Sequence, residues 1–330
     1  MGVYLGVWSE ASAYGSPIDD KTYALVIRPT NVRVCGFCPA SLSSVAMKNG
    51  SRRYIEKSII IVGVGLIGGS IAAAVRKRFP ECRVIGIGRN RERLEAAIER
   101  GLLTDCADQI STASIPEGSL GIVCLPVDQI AAAVLQLIDA GCELITDAGS
   151  VKASIYAALG NNSGRTFIGS HPIAGGERTG FEHADADLFV NRVCVVTPMH
   201  ANAIKTARVV SFWKSIGSTV QEMSPDEHDR LLAMTSHLPH IMAAVMSGCV
   251  VPEQLPFTGT GFRDTTRIAA GSASLWTSIL LGNAEHCVTS IETAEQLLRE
   301  FRTAIEAGDE TRLKSLLDES AERRKLLDRK

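Results

Sequence analysis

A glycine-rich turn between an apolar strand and a helix is the feature that most constrains this chain of 330 residues. Gly63, Gly65 and Gly68 follow the apolar run Ile59–Val62 with the spacing G-x-G-x-x-G. Glycines at these positions let backbone N–H groups approach a pyrophosphate, and a helix beginning at Leu66 directs its positive end towards that anion. The turn predicts a dinucleotide site; the alternative is a turn that only packs the sheet.

The order of strand and helix patterns predicts two different halves. Short apolar runs alternate with amphipathic stretches from Ser58 to about Thr197, as in a parallel sheet covered by helices, and only helical patterns follow Ser224. The predicted strands are Ile59–Val62, Arg83–Ile87, Gly121–Leu125, Leu144–Asp147, Thr166–Gly169 and Val193–Val196. The predicted helices are Leu66–Arg78, Arg91–Arg100, Val127–Ala140, Val151–Leu159, Pro225–Thr235, Pro239–Val250, Leu275–Phe301 and a last helix that Gly308 and Asp309 separate from its predecessor.

We therefore predict an α/β fold: a Rossmann-type doubly wound parallel sheet followed by an all-α dimerisation and substrate domain. The expected boundaries are 58–223 for the dinucleotide-binding domain and 224–330 for the helical domain. The stretch Leu238–Val251 is apolar on most sides, so it is expected to be buried in a large core or against a second subunit. We expect a homodimer built on the helical domain.

The first 57 residues lack sustained periodicity and are predicted to be a poorly ordered leader, with Met47 as a possible alternative start. Cys35 and Cys38 form a C-x-x-C pair, which suits redox chemistry, half of a zinc site or two incidental thiols. No second Cys/His pair follows at the spacing of a zinc finger, and no metal is expected.

Composition excludes several classes of function. The chain is 45% hydrophobic and 21% charged with a net charge of −2, which gives no electrostatic reason to expect nucleic acid. No window supplies the roughly 18 uncharged apolar residues of a membrane span, and no secretory signal opens the chain. The nine cysteines are scattered through apolar stretches, so most are expected to be reduced. These features favour a cytoplasmic protein.

The end of the second predicted strand bears on the choice of dinucleotide. An NAD site usually has Asp or Glu there for the ribose hydroxyls, whereas this chain has Arg89, Asn90 and Arg91. Guanidinium groups attract a 2′-phosphate, so NADP is favoured over NAD, unless these arginines only begin a solvated helix. The predicted cofactor-binding residues are Gly63, Gly65, Leu66, Ile67, Gly68, Arg89, Asn90, Arg91, Leu125 and Pro126.

Four further motifs follow the glycine turn in order. They are D-x-G-S-V-K at 147–152, H-P-I-A-G-G-E at 171–177, S-H-L-P-H at 236–240 and G-F-R-D-T-T-R-I-A at 261–269. Over about residues 58–300 this series resembles the prephenate/arogenate dehydrogenase family of tyrosine biosynthesis. The resemblance implies oxidative decarboxylation of a cyclohexadienol, with hydride transfer to nicotinamide as the ring becomes aromatic.

By this resemblance His171 is the catalytic imidazole that takes the proton of the substrate hydroxyl, a role suited to a side chain whose ordinary pKa is ~6.5. Ser150 resembles the serine that orients His171 and contacts nicotinamide or substrate. It would also be the N-cap of a helix beginning at Val151, and both roles can hold.

The remaining site residues are also implied by the resemblance. Arg267 matches the arginine that binds the substrate carboxylate, and Arg263 would be a cation at the rim on the same helix face. Asp264 and Glu177 resemble an ionic gate, for which surface salt bridging is the alternative. His240 and His237 would line the substrate pocket, and Trp276 would lie near it or only in the core.

Several alternatives stay open. Prephenate and arogenate differ only in a keto or amino group on the side chain, so an arogenate dehydrogenase that uses NADP is the main alternative to a prephenate dehydrogenase. Another two-domain NADP dehydrogenase or a silent dinucleotide sensor fits the glycine turn alone. Neither of these would require Ser150, His171 and Arg267 together.

Overall fold

Eight strands form one sheet in the computed structural model, which describes residues 56–162, 166–176, 178–199 and 202–328. The strands are β1 (Ser58–Val62), β2 (Arg83–Ile87), β3 (Asp105–Ala107), β4 (Leu120–Val123), β5 (Leu144–Asp147), β6 (Phe167–Pro172), β7 (Val193–Thr197) and β8 (Thr219–Glu222). Their order is β3-β2-β1-β4-β5-β6-β7-β8, and all neighbours are parallel except β6 and β7. The strand order reverses between β1 and β4, which opens a crevice at their carboxyl ends. The predicted Rossmann-type sheet is confirmed.

Helices cover both faces of this sheet. Those of the first half are α1 (Leu66–Arg78), α2 (Arg91–Glu99), α3 (Val127–Asp139), α4 (Ala153–Leu159) and α5 (Ala203–Ser215). Strand β1 is buried along its whole length, with Ile59 and Ile61 in one apolar core and Ile60 and Val62 in another. Alternate residues of a strand point to opposite faces, so a strand buried on both sides needs an uninterrupted apolar run.

The second half is helical, as predicted. It contains α6 (Pro225–Leu232), α7 (Leu238–Gly248), α8 (Thr260–Thr266), α9 (Ala273–Gly282), α10 (Ala284–Glu306) and α11 (Glu310–Lys325). A π-helical turn, Ala233–His237, joins α6 to α7. Asp309 caps α11 by accepting a hydrogen bond from the Arg312 backbone N–H, which confirms the predicted helix start.

Some local predictions are wrong. Helix α4 begins at Ala153 with Lys152 as its N-cap, so Ser150 lies in the preceding loop and does not cap the helix. The single helix predicted over Leu275–Phe301 is two helices separated at Asn283. The short edge strands β3 and β8 were not predicted, because each mixes polar and apolar residues and none of their residues is buried.

Helix α7 presents apolar side chains on its outer side. Within one chain it buries only His240 and Ala243, and Val245 and Met246 are exposed. Within the described part of the chain, α7 is therefore not buried in a large core.

Among the residues with described positions, no helix is long and apolar enough to cross a membrane. The predictions for the leader up to residue 55, including Met47, Cys35 and Cys38, fall outside the described residues, as does the one for Glu177.

Candidate functional site

The glycine turn has the geometry that a pyrophosphate needs. Gly63 has φ +94°, and a Cβ there would lie 2.7 Å from the Cys124 carbonyl oxygen. A Cβ on Gly68 would lie 2.2 Å from the Gly63 carbonyl oxygen, whereas one on Gly65 would meet nothing within 4 Å. Gly63 and Gly68 thus permit tight packing of the backbone, and Gly65 faces open space at the start of α1. The first turn of α1 carries no acidic residue that would repel an anion. The residues present fit a bound dinucleotide.

A cavity of about 950 Å³ continues this cleft along the carboxyl ends of β1, β2 and β4. Arg89, Leu125 and Pro126, all predicted to bind the cofactor, line it together with Gly88 and Asp108. Leu66 and Ile67 are half-buried in the first turn of α1.

The other two residues after β2 have protein partners. The guanidinium Nε of Arg91 lies 2.8 Å from Glu95 Oε1, and its NH1 atom lies 3.7 Å from Asp108 Oδ1. The side chain of Asn90 caps α2 by accepting a hydrogen bond of 2.9 Å from the Arg93 backbone N–H. Of the three, Arg89 is the residue that lines the cavity.

The catalytic candidates lie where β5 and β6 end. Ser150 is half-buried in the loop after β5, and His171 is half-buried on β6. The carboxyl ends of strands in such sheets are where ligands bind, which is why two motifs far apart in the chain converge here.

A second histidine and an aspartate extend inwards from His171. His228 Nε2 lies 2.9 Å from His171 Nδ1, and His228 Nδ1 lies 2.7 Å from Asp229 Oδ1. An ionised carboxylate only accepts hydrogen bonds, so His228 carries its proton on Nδ1 and accepts one from His171 Nδ1. This leaves Nε2 of His171 without a proton. The arrangement turns His171 into a base of fixed orientation.

Asp229 is also fixed from the first half of the chain. Its carboxylate accepts hydrogen bonds of 2.8 Å from the backbone N–H groups of Lys152 and Ala153, at the start of α4. The Asn283 side chain donates to the Asp229 carbonyl oxygen over 2.7 Å. Asp229 thereby connects the loop that carries Ser150 to the helix that carries His228.

The surroundings of His171 and His228 favour the neutral form of both imidazoles. Burial lowers the pKa of His171 well below its usual value, and the nearby His228, Lys152 and His237 lower it further. Burial also lowers the pKa of His228, although Asp229 opposes that effect. A neutral imidazole at ordinary pH is the form that accepts a proton.

His237, His240 and Trp276 form a second group from the helical half. The His240 ring stacks on Trp276 with 3.5 Å between ring centroids, and His237 meets the same indole edge-on. Asn283 Nδ2 donates to His237 Nδ1 over 3.2 Å, so the His237 proton lies on Nε2. Within the described part of the chain, neither His237 Nε2 nor His240 Nδ1 has a hydrogen-bond partner, although both rings are buried.

The two predicted cations and the predicted gate residue Asp264 lie at the surface. Arg263 and Asp264 are exposed on α8, and neither forms an ion pair with any described residue. Arg267 is also exposed and follows α8 as its C-cap, so the four-residue spacing from Arg263 spans the end of the helix.

The buried histidines predict a loss of stability in mild acid. His237 has its pKa lowered from 6.5 to about 4 by burial, and burial also lowers that of His240. Because the unfolded chain then binds more protons, the free energy of unfolding is greatest above the ordinary histidine pKa and falls as pH drops towards about 4. Urea unfolding should give a value about 1 kcal/mol or more lower near pH 5 than near pH 7.5. Equal values at the two pH values would contradict this.

Comparisons with known proteins point to one family. Residues 71–222 match the family model "Prephenate dehydrogenase, nucleotide-binding domain" and residues 224–319 match "Prephenate dehydrogenase, dimerization domain". A prephenate dehydrogenase of Bacillus subtilis is 34% identical over 267 residues, or 77% of this chain and 72% of that protein.

Two solved structures are similar over most of the chain. The prephenate dehydrogenase of Aquifex aeolicus, in complex with hydroxyphenyl propionate and NAD+, superposes with a TM-score of 0.78 and 29% identity over 82% of this chain and 98% of that one. A Synechocystis arogenate dehydrogenase gives a TM-score of 0.68 and 28% identity over 82% and 99% of the two chains.

Proposed function

The chain belongs to the prephenate dehydrogenase family, and we propose that it converts prephenate to 4-hydroxyphenylpyruvate and CO₂ with transfer of hydride to NADP. The observation that carries this proposal is the chain of hydrogen bonds from His171 through His228 to Asp229, at the carboxyl end of the same sheet that carries the glycine turn. It supplies an oriented neutral base at the end of the sheet where a dinucleotide fits.

In the proposed reaction, His171 Nε2 accepts the proton of the substrate hydroxyl while that carbon gives up hydride and becomes a carbonyl. Bound dinucleotide supplies the hydride acceptor. The bond to the ring carboxylate then breaks, CO₂ leaves, and its electron pair makes the ring aromatic. The new phenolate oxygen takes a proton, which His171 can return. His228 and Asp229 stabilise the charge that His171 gains, and such general-base help is worth about 10²–10⁴-fold in rate.

Ser150 is proposed as a further contact for the substrate hydroxyl or the nicotinamide. Ser150 is not the N-cap of α4, because Lys152 occupies that position. Its hydroxyl is half-buried in a loop that Asp229 anchors at Lys152, and a hydroxyl can either donate or accept a hydrogen bond.

For the substrate itself, we propose Arg267 as the partner of a carboxylate, because a planar guanidinium suits that anion. His237 and His240 lie on the helical side with Trp276, and the His237 Nε2–H group is a buried donor that a substrate oxygen could satisfy. Arg263, Asp264 and Glu177 are proposed only as charged groups at the entrance.

For the cofactor, NADP is favoured because Arg89 lines the cavity where the second strand ends and Arg91 lies at the start of the following helix. Arg91 would have to exchange Asp108 for a 2′-phosphate, and their separation of 3.7 Å on the surface makes that pair weak.

We expect Arg89→Ser to raise the KM for NADP about 10-fold and to change the KM for NAD much less, because a charge-assisted hydrogen bond to phosphate is lost. Arg93→Ser is the matched control, since Arg93 is not among the residues that line the cavity and pairs with Glu182 over 3.0 Å. Initial-rate assays with both cofactors measure the effect. Equal losses for NADP and NAD would contradict the assignment of Arg89.

For the architecture, we propose domains 58–223 and 224–330 and a homodimer through the helical domain. The two family models meet between residues 222 and 224, and the second is described as a dimerization domain. The exposed apolar residues of α7 support a partner surface there.

The second candidate is arogenate dehydrogenase activity, which the likeness to the Synechocystis enzyme favours. An assay of the purified protein with each substrate and each cofactor, following reduced nicotinamide and the aromatic product, tests both. Faster turnover of prephenate with NADP supports the proposal. Faster turnover of arogenate would replace prephenate as substrate, and no turnover by folded protein that binds NADP would overturn the function.

A further inference from the structure

A fully buried lysine lies behind the catalytic histidine. Lys152 has no exposed surface, and its ammonium group contacts the equally buried carboxylate of Asp147. The same group donates to the carbonyl oxygen of Ser170 over 2.9 Å. Ser170 directly precedes His171, yet no step of the proposed reaction uses Lys152.

Lys152 lies where the backbone pairing between β5 and β6 ends. Strands β5 and β6 pair in parallel only at Ile145 with Phe167 and Thr146 with Ile168, after which β6 pairs with β7 in the antiparallel sense.

Beyond that point, side chains connect β5 to β6. Asp147 Oδ1 accepts a hydrogen bond of 2.9 Å from the Ser170 backbone N–H, and Lys152 donates to the Ser170 carbonyl. Both backbone groups of the residue before His171 are thus held by one ion pair.

We propose that Lys152 is a positioning residue for this reaction: through its ion pair with Asp147 it holds the end of β6, and with it His171, in place. The inference rests on the proposed role of His171 as base. Burying an ion pair is costly, so a pair at this place is better explained by orientation and charge than by stability alone.

The backbone of Lys152 adds a second connection. Its N–H donates to Asp229 Oδ1, the carboxylate that also accepts from His228. Lys152 therefore contacts the residue before His171 through its side chain and contacts Asp229 through its main chain.

Several titratable groups surround His171. The titratable groups on the elements packed around it are His228 and Asp229 on α6, His237 in the π turn, Asp147 at the end of β5, Lys152 in the following loop, and Cys194 on β7. Burial and His228 lower the pKa of His171 first, and the charge of Lys152 lowers it further. Removing that charge should raise it.

The test compares Lys152→Met with the double variant Asp147→Asn/Lys152→Met. The double variant leaves no unpaired buried carboxylate, and the amide oxygen of Asn at position 147 can still accept a hydrogen bond from the Ser170 backbone N–H. It therefore serves as the test if the single variant does not fold. Lys205→Met is the control, because Lys205 also donates to a backbone carbonyl, that of Glu143, but is only half-buried and lies on α5.

Two measurements distinguish a role in positioning His171 from a role in stability alone. We expect kcat to fall about 10- to 100-fold, as for a catalytic group displaced by about 1 Å, with NADP binding retained. We also expect the His171 imidazole, followed by ¹⁵N NMR, and the acid limb of kcat/KM to titrate at higher pH than in the unaltered protein. Lys205→Met should change none of these.

A folded double variant that keeps the kcat of the unaltered protein would overturn the proposal, as would a folded Lys152→Met variant whose His171 titrates as in the unaltered protein. If the titration moves but the unaltered protein does not turn over prephenate, the proposed function fails and the role of Lys152 in setting the charge of His171 stands.

Discussion

In the His171→Asn variant, kcat is expected to fall about 10²–10⁴-fold, while the affinity for NADP stays within about twofold. Asparagine is similar in size but cannot take a proton, so hydride would have to leave a carbon whose hydroxyl keeps its proton. His171 lies on β6, three strands from the glycine turn after β1, so the cofactor site should not change. Steady-state rates and a fluorescence titration of NADP measure the two effects.

A histidine outside the site is the control for this substitution. His286→Asn changes a partly exposed histidine on α10 whose Nε2 lies 3.0 Å from Asp226. It should retain the full rate. A near-normal rate in His171→Asn itself would show that another group accepts the proton.

Asp229→Asn is expected to lower kcat by a similar factor, about 10²–10⁴-fold, and to destabilise the protein as well. The carboxylate accepts from His228, Lys152 and Ala153, whereas an amide has only one acceptor oxygen. His228 would lose its fixed tautomer, and His171 would no longer have a defined acceptor for its Nδ1 proton. A buried N–H left without a partner costs about 1–3 kcal/mol of unfolding free energy.

The matched control lies on the same helix. Asp226→Asn changes an aspartate whose side chain is 73% exposed and which, among the described residues, pairs with His286 alone. The expected loss of unfolding free energy is therefore about 0.5 kcal/mol or less, with no loss of rate. Urea unfolding and kcat should be measured for both variants. If Asp229→Asn retained the rate of the control, the path through His228 would have no part in catalysis.

Much of the fold could be predicted because its signals are local. The apolar run of β1, the glycine turn and α1 follow each other within Ser58–Arg78, and the predicted bounds of α1, β2 and β5 agree with the structure. Each signal depends on spacing along the chain, which is readable without knowing any long-range contact.

The path from His171 to Asp229 could not be predicted in this way. His171 and His228 are 57 residues apart and come from the two halves of the chain. His228 and Asp229 are adjacent on an amphipathic helix, where a histidine and an acid are ordinary surface residues. Only packing of α6 against the start of α4 buries them and gives them a role.

Two wrong predictions have the same origin. A serine before an apolar helix is a good local cap, but here the Asp229 carboxylate accepts from the first N–H groups of α4, so Ser150 is not needed as a cap. Asn283 interrupts the predicted helix Leu275–Phe301 because its side chain bonds to the Asp229 carbonyl and to His237. Both departures lie next to the proposed site, where long-range contacts override local preference.

The most direct test of the central claim is to incubate the purified protein with prephenate and NADP and to quantify reduced nicotinamide, CO₂ and 4-hydroxyphenylpyruvate in the same sample. Coupled hydride transfer and decarboxylation predict equal amounts of all three, and none above background with His171→Asn. Folded, NADP-binding protein that forms none of them, or that releases CO₂ without reducing the cofactor, would contradict the account.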